Sequence, residues 1–391
     1  MAPLSGTRLV ERVERALPRE DSFTSPLRGP RTASRVGVWL GVCFLVALLT
    51  GVWSHWAQQA GTSVPLPRRP VSLYRLTQTL HVVAGTAAVP LLLVKMWSVY
   101  PRLFARPPRG RRPLLGHLLE RVSVAVLVSS ALFQLATGLA NAAQWYPWGF
   151  AFRATHHALG WVAVGALLVH VAVKLPVVRD ALARRPEPGP ATPGGPSRRT
   201  LLRVTWLSAG VAVVATAVSG VPGLRRASVL AVRSGDGPGG VPINRSAAAA
   251  GVTALAADPG FRLVVARGGR EVALSRTDLE AMPQRTADLP IACVEGWSAT
   301  GRWTGVAVRD LLALVGAPAA SVVAVTSLQP RGAWRESRLP AEVAADPLTL
   351  LALDLAGQPL SPDHGYPCRL VAANRPGVLQ TKWVARLEVT T

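Results

Sequence analysis

Five apolar runs, near residues 36–57, 77–99, 118–140, 155–175 and 203–221, constrain this chain more than any other feature. Each is close to the roughly 20 residues that a helix needs to cross a bilayer. Lipid offers the peptide group no hydrogen-bond partner, so helices are the expected form. Composition agrees: the chain is 49% hydrophobic and 16% charged, against about 25% charged residues in an average soluble domain. The sequence predicts five membrane helices followed by a separate C-terminal domain.

The net charge of +22 is unevenly distributed, with +18 of it in residues 1–220. The basic residues flank apolar runs instead of forming one stripe, which argues against nucleic-acid binding. Arg8, Arg12, Arg15, Arg19, Arg28, Arg31 and Arg35 precede the first run. Arg102, Arg106, Arg109, Arg111 and Arg112 lie between the second and third, and Arg179, Arg184, Arg185, Arg198 and Arg199 between the fourth and fifth. The alternate connections are poorer, with Arg68, Arg69 and Arg75 in one and Arg153 in the other. The positive-inside rule then sets the N-terminus in the cytoplasm and the C-terminal domain outside. Trp53, Trp56, Trp145, Tyr146 and Trp148 fit an outer interfacial belt.

Six of the seven histidines fall in this half: His55, His81, His117, His156, His157 and His170. Ionisable groups inside a membrane are functional candidates. His156 and His170, 14 residues apart, share one helix face and stand about 21 Å apart along it. That separation suits two haems stacked across a hydrocarbon core of about 30 Å. His157 points off this face, so His156 is preferred. His81 matches the depth of His156 and forms the expected outer pair of b-type haem ligands; His117 and His170 form the inner pair. His55 sits at the edge of its run and reads as interfacial. The bland alternative is a set of histidines hydrogen-bonded between helices. The spacing resembles the membrane cytochrome b subunits of formate dehydrogenases and nickel-iron hydrogenases, with one departure: no histidine stands at the inner end of the first run.

From about residue 258 the pattern changes to short β-like runs at 261–265, 271–274, 321–326, 368–372 and 385–389, with a helical pattern over Val308 to Leu314. This predicts a mixed α+β domain. Two stretches within it carry chemistry: Ile291-Ala-Cys-Val-Glu-Gly-Trp-Ser298 with Gly301-Arg-Trp-Thr-Gly-Val306 and Arg309-Asp-Leu-Leu312, and Asp363-His-Gly-Tyr-Pro-Cys-Arg-Leu-Val371 with Asn374-Arg-Pro-Gly-Val-Leu-Gln-Thr-Lys-Trp383. Over roughly residues 240–391 these resemble the molybdopterin-binding domain of the sulfite oxidase superfamily. The Cys-Val-Glu-x-Trp-Ser form is closest to its periplasmic methionine-sulfoxide reductases.

The resemblance implies that Cys293 supplies a thiolate to molybdenum, a soft ligand suited to that metal. It places Glu295 near the metal for proton delivery, where the alternative is an ordinary salt-bridged glutamate. It puts His364, Arg369, Arg375 and Lys382 on the cofactor's phosphate tail, with Asn244 as a further contact. Cys368 receives no role, and a disulfide between Cys293 and Cys368 stays open at this point.

Ser197-Arg-Arg-Thr-Leu-Leu-Arg203 resembles a twin-arginine export signal with Leu201 where Phe is usual. A domain that takes up a bulky cofactor while folding in the cytoplasm needs such a route; plain positive-inside anchoring is the alternative. The expected order is a cytoplasmic tail (1–35), a cytochrome b-like four-helix module (36–175), a cytoplasmic linker (176–202), a fifth helix (203–221) and an extracytoplasmic oxidoreductase domain (222–391). The expected function is oxo-transfer on a small-molecule or peptidyl substrate, coupled through haem to the quinone pool, in a multi-pass cell-membrane protein assembled by the Sec and twin-arginine machineries. A haem-free structural anchor and a molybdenum-free binding or sensor module are the alternatives.

Overall fold

A computed structural model describes residues 20–23, 25–59, 67–105, 107–108, 110–183, 195–221, 223–231 and 237–390. Arg8, Arg12, Arg15, Arg19, Arg106, Arg109, Arg184 and Arg185, with residues 184–194 of the predicted linker, lie outside these residues. Five long helices form: α1 (Pro30–Ala57), α2 (Leu73–Val99), α3 (Arg111–Ala142), α4 (Phe152–Ala183) and α5 (Arg198–Thr216). The first four are long and apolar enough to cross a membrane. Their outward faces carry Leu45, Leu49, Leu119, Val122, Leu168 and Val169, all exposed, as expected of helices solvated by lipid.

The fifth predicted span is not among those four. α5 has 19 residues, and Arg198, Arg199 and Arg203 occupy its first turns, so its uncharged stretch begins only at Val204. α4 runs beyond residue 175, through Pro176 to Ala183. Interior proline is tolerated in membrane helices because neighbouring groups re-satisfy the freed backbone. Between residues 221 and 250, a Gly/Ala-rich stretch, the described residues include short 3-10 turns at Arg225–Ala227 and Pro238–Gly240 and a fully buried Val241.

The chain divides into two compact units, one of residues 1–48, 84–139 and 148–213, the other of residues 49–83, 140–147 and 214–391. In the first, Val36 and Leu40 of α1 meet Ala88, Leu91 and Leu92 of α2, Ala131 of α3 and Leu202 of α5. Trp39 and Trp206 stack edge to face at 5.2 Å. α3 and α4 form an antiparallel hairpin whose register is marked by Gln134 against the His156 carbonyl (2.8 Å) and by a Glu120–Lys174 ion pair.

The second unit contains two five-stranded sheets. One runs β2 (Arg270–Leu274), β1 (Leu263–Arg267), β10 (Val384–Thr390), β5 (Val322–Ser327), β6 (Glu336–Leu339); only β1 and β10 pair in parallel. The other runs β3 (Gln284–Ala292), β4 (Ser298–Ala307), β7 (Leu350–Leu355), β8 (Gln358–Pro359), with β9 (Arg369–Val371) also on β7. The short helix Val308–Leu314 drives Val308, Leu311 and Leu312 into a core shared with Leu263, Val265, Val323, Val325 and Leu387. A second core gathers Cys293, Trp297, Trp303, Leu350 and Val371. The mixed α/β domain expected from the sequence is present, and the five β-like runs all fall on strands.

At the bulge between Thr304 and Gly305, β4 crosses β7 so closely that a Cβ on Gly305 would lie 2.1 Å from the Leu351 carbonyl oxygen. Only glycine fits there. Gly305→Ala is expected to destabilise the C-terminal domain by about 1–3 kcal/mol through overpacking, read as a lower urea midpoint for its proteolysis in the full chain.

Candidate active site

Cys293 leaves the end of β3 and starts a tight turn: the Gly296 N–H donates to its carbonyl at 3.1 Å, and its own N–H donates to the Trp297 carbonyl at 2.9 Å. Gly296 takes φ +88°, a conformation that suits glycine. The thiol is buried at the edge of the second core, and Cys293 and Cys368 are both free, which closes the disulfide alternative. Glu295 lies in the same turn, its carboxylate accepting the Trp297 indole N–H at 2.8 Å. The turn therefore brings Cys293 and Glu295 together and holds the glutamate through the tryptophan.

The cationic residues of the second motif are buried, not solvated. Arg369, Arg375 and Lys382 are each no more than 8% exposed. The Arg369 guanidinium lies 5.4 Å over the Trp303 ring and donates to the His364 carbonyl at 3.2 Å. Burial lowers its pKa to about 10, and the Cys293 thiol acts against that shift, so the two groups are near enough to interact. Arg375 donates to the carbonyls of Leu379 and Arg338 at 3.0 and 2.7 Å. Lys382 donates to those of Arg245 and Asp363 at 2.8 and 2.7 Å. Asn244 accepts its neighbour Arg245's N–H at 2.9 Å, a local turn contact.

His364 has both ring nitrogens engaged, Nε2 with the Val241 carbonyl at 2.9 Å and Nδ1 with the Ser361 hydroxyl at 3.0 Å. With a carbonyl on Nε2, the proton sits there and Ser361 donates to Nδ1. Burial first, and then the positive Arg369, push its pKa down to about 4. Cys368 is fully buried, its thiol donating to the Val384 carbonyl at 3.3 Å and its pKa pushed up to about 12 by burial. This is the inert core cysteine the sequence suggested.

Two buried polar atoms of the second motif, Arg369 Nε and Gln380 Oε1, have no protein partner. Buried polar groups are rarely left so, and here one is a donor and the other an acceptor. The set of soft thiol, buried cations and unpaired polar atoms suits an anionic, sulfur-rich, hydrogen-bonding cofactor. Sequence reasoning passed over Gln380 and Trp303, although Gln380 lies between two residues that it selected. Among the described residues no group of three or more His, Cys, Asp or Glu side chains could hold a metal ion by itself.

In the helices, His81 Nδ1 lies 3.3 Å from the Thr50 hydroxyl, and a Cβ on Gly51 would come 2.9 Å from its Cε1. His156 Nδ1 lies 3.2 Å from the Thr137 hydroxyl, and a Cβ on Gly138 would come 3.7 Å from its Cε1. A Thr-Gly pair on the preceding helix thus receives each ring. His157 instead accepts the Trp161 indole N–H at 3.3 Å on its own helix. His117 Nε2 accepts from Arg121 at 3.2 Å. In the register set by Glu120 and Lys174, His117 and His170 are offset by about 10 Å along the hairpin.

Residues 250–391 match the family described as oxidoreductase molybdopterin binding domain. Mitochondrial sulfite oxidase of Rattus norvegicus is 29% identical over 155 residues, 33% of this chain and 28% of that protein. A protein of Azospira oryzae named as a protein-methionine-sulfoxide reductase subunit, YedZ1, is 33% identical over 114 residues, 29% of this chain and 42% of its own length. The chain therefore spans well under half of these relatives. Among solved structures, the sulfane dehydrogenase SoxCD of Paracoccus pantotrophus overlaps 34% of this chain and 38% of its own at 23% identity, with a TM-score of 0.30.

Because His364 is neutral when folded and its ordinary pKa is 6.5, the unfolded chain binds the extra proton between pH 6.5 and about 4. Its contribution to stability is complete above that window and is lost as pH falls through it. Unfolding midpoints of the C-terminal domain should drop between pH 7 and 5, and His364→Gln should flatten that slope. Residues 250–391 match the oxidoreductase molybdopterin binding domain family, and sulfite oxidases are among the proteins to which this domain is similar.

Proposed function

We propose that this chain is a membrane-bound molybdopterin-dependent oxidoreductase that performs oxo-transfer outside the cytoplasm and exchanges electrons with quinones through b-type haem. The C-terminal family match supports the first half. The second is carried by the repeated arrangement in which a Thr-Gly pair, Thr50-Gly51 or Thr137-Gly138, receives His81 or His156. An Nδ1–H given to a hydroxyl fixes the tautomer and aims Nε2 the opposite way, as outer partners of metal-bound histidines do. The glycine leaves room along the ring edge.

His81 and His156 are the proposed outer haem ligands. The inner pair, His117 and His170, has less support, because Arg121 occupies one nitrogen of His117 and the two are offset along the hairpin. In the C-terminal domain, Cys293 is the proposed thiolate ligand to molybdenum, with Glu295 in the same turn as the proposed residue for proton delivery. Arg369, Arg375, Lys382, His364 and Asn244 would hold the molybdopterin, with Gln380 added to that set. When bound, the cofactor supplies two-electron oxo-transfer; the protein supplies binding, orientation and electrostatics. The Cys-Val-Glu-Gly-Trp-Ser turn and the Azospira relative favour an S-oxide, free or peptidyl, as substrate, with sulfite oxidation as the second reading.

The topology follows from charge, with five spans, the N-terminus inside and the C-terminal domain outside. α5 starts at the paired Arg198 and Arg199, its first turn capped by the Ser197 hydroxyl, which accepts the Thr200 N–H at 3.1 Å. We propose that this pair directs twin-arginine export after Sec insertion of the first four helices. Arg198→Lys with Arg199→Lys keeps the charge; the C-terminal domain should then stay protected from external protease while the first four helices still insert. Unchanged accessibility would remove the export signal from the proposal.

Two further outcomes test the redox reading. Cys293→Ser should abolish turnover with an artificial soluble donor, because a hard hydroxyl replaces a soft thiolate, whereas Cys368→Ser should cost only about 1–2 kcal/mol of stability. His81→Ala and His156→Ala should each remove a reduced b-type absorbance band, and His157→Ala should keep it. A purified protein with molybdenum and no haem would favour the structural-anchor alternative.

A further inference from the structure

The turn that carries Cys293 is seated on the helix that carries His81, and both belong to the second compact unit. Gly296 faces Val82, the residue after His81: a Cβ built on Gly296 would lie 2.8 Å from Val82 Cγ2, closer than real carbon atoms approach. One turn earlier on α2, Thr79 meets Gly220 just as closely, and the Gly220 carbonyl accepts the Ser298 hydroxyl at 3.2 Å. On the other flank of the turn, the Val294 carbonyl accepts the Asn141 amide at 2.9 Å, and Asn141 in turn accepts the Tyr146 hydroxyl at 3.0 Å. Ala292, next to Cys293, packs with Ala57 and Tyr74.

The approach to α2 is clamped as well. Arg69 makes a two-pronged ion pair with the buried Asp346 at 2.8 and 3.1 Å. Asn374 accepts the Tyr74 N–H at 2.6 Å and donates its own N–H to the Val71 carbonyl at 3.3 Å. Arg75 donates to the Thr300 hydroxyl at 2.8 Å. Contacts from five separate points of the C-terminal domain thus converge on one stretch of helix and its leading loop.

Resting on the proposed haem and molybdenum ligands, we infer that Gly296 is a positioning residue: by lacking a side chain it seats the Cys293 turn on α2 at Val82, beside His81, so that electrons pass between the two cofactor sites of this one chain with no soluble carrier. The path is short because Cys293 and Gly296 are the two ends of one turn, with Cα atoms less than about 7 Å apart, and Val82 adjoins His81 in sequence. In the reducing direction, one quinol becomes quinone and releases two electrons and two protons. One S-oxide takes up two of each and becomes a thioether and water. The electrons cross the Gly296–Val82 contact singly.

The test uses the purified full chain and reads spin coupling, not turnover. Molybdenum and haem are quantified first. The relaxation of the Mo(V) electron-spin signal is then compared with the haem ferric and ferrous. In the wild type the ferric haem should speed that relaxation. Gly296→Ala should keep both cofactors and lose more than half of the enhancement, because the new methyl pushes the turn off Val82. Gly296→Ala with Val82→Ala should restore it, since the nearest remaining atom, Val82 Cβ, would lie 3.7 Å away. Gly268→Ala, also at positive φ (+56°) but with nothing within 4 Å, controls for backbone strain and should leave the enhancement intact. Should Gly296→Ala not fold, Val82→Phe probes the same contact from the helix side with the same expected loss. Wild-type enhancement in Gly296→Ala, or no recovery in the double variant, would overturn the inference while leaving the cofactor assignments in place. A wild type holding molybdenum and no haem would overturn the haem reading and the inference together.

Discussion

A bilayer cannot hydrogen-bond the peptide group, so a chain meant to cross one must satisfy its backbone within helices, and four helices here are long and apolar enough to do so. Among the described residues their exposed faces are apolar and several of their polar side chains turn toward one another. Lys95 gives its ammonium to the Ala33 carbonyl at 2.8 Å, and Glu120 meets Lys174. A Thr-Gly pair stands opposite both His81 and His156, its hydroxyl within reach of one ring nitrogen; at Gly51 the missing side chain also lets the His81 ring edge come close.

Much of this was legible in the sequence because two periodicities are strong. Long apolar runs mark α1 to α4, and five short β-branched runs mark strands of the C-terminal domain. β3 and β4 were not legible, for identifiable reasons. β3 reads Gln-Arg-Thr-Ala-Asp-Leu-Pro-Ile-Ala, with charges at its start and Pro290 inside it. Proline is tolerated there because β3 is an edge strand. β4 carries Gly301 and Gly305, which lower strand propensity but permit close packing against Trp303 and β7. β7, Leu-Leu-Ala-Leu-Asp-Leu, is a short apolar run that periodicity alone cannot assign to helix or strand.

The candidate site was legible by residue type and order, and less so by environment. Arg369, Arg375 and Lys382 each look like solvated cations when read singly. The fold buries all three and satisfies them largely with main-chain carbonyls, which a linear pattern does not reveal. The haem candidates show the opposite case. The 14-residue spacing of His156 and His170 was plain, but the level of His117 against His170 depends on how α3 and α4 are registered, which a linear pattern does not give. α3 begins at Arg111 and α4 ends at Ala183, so the two histidines stand at different distances from those ends.

Cys368 has a consequence for how this domain would age. A thiol whose pKa has been pushed to about 12 holds only about one part in 100,000 as thiolate at pH 7, and the thiolate is the form that oxidants attack. With Cys43 in α1, the C-terminal domain has no other sulfhydryl besides Cys293. On the proposed outer face of the membrane, peroxides and hypohalous acids would find one cysteine unreactive and the other, on the proposed reading, engaged by metal. The oxidisable sulfur left in the domain is Met282, half-buried beside the first core. Oxidative wear should therefore begin as a packing lesion at that methionine, outside both motifs, and leave the chemistry intact until the sheet beneath it loosens.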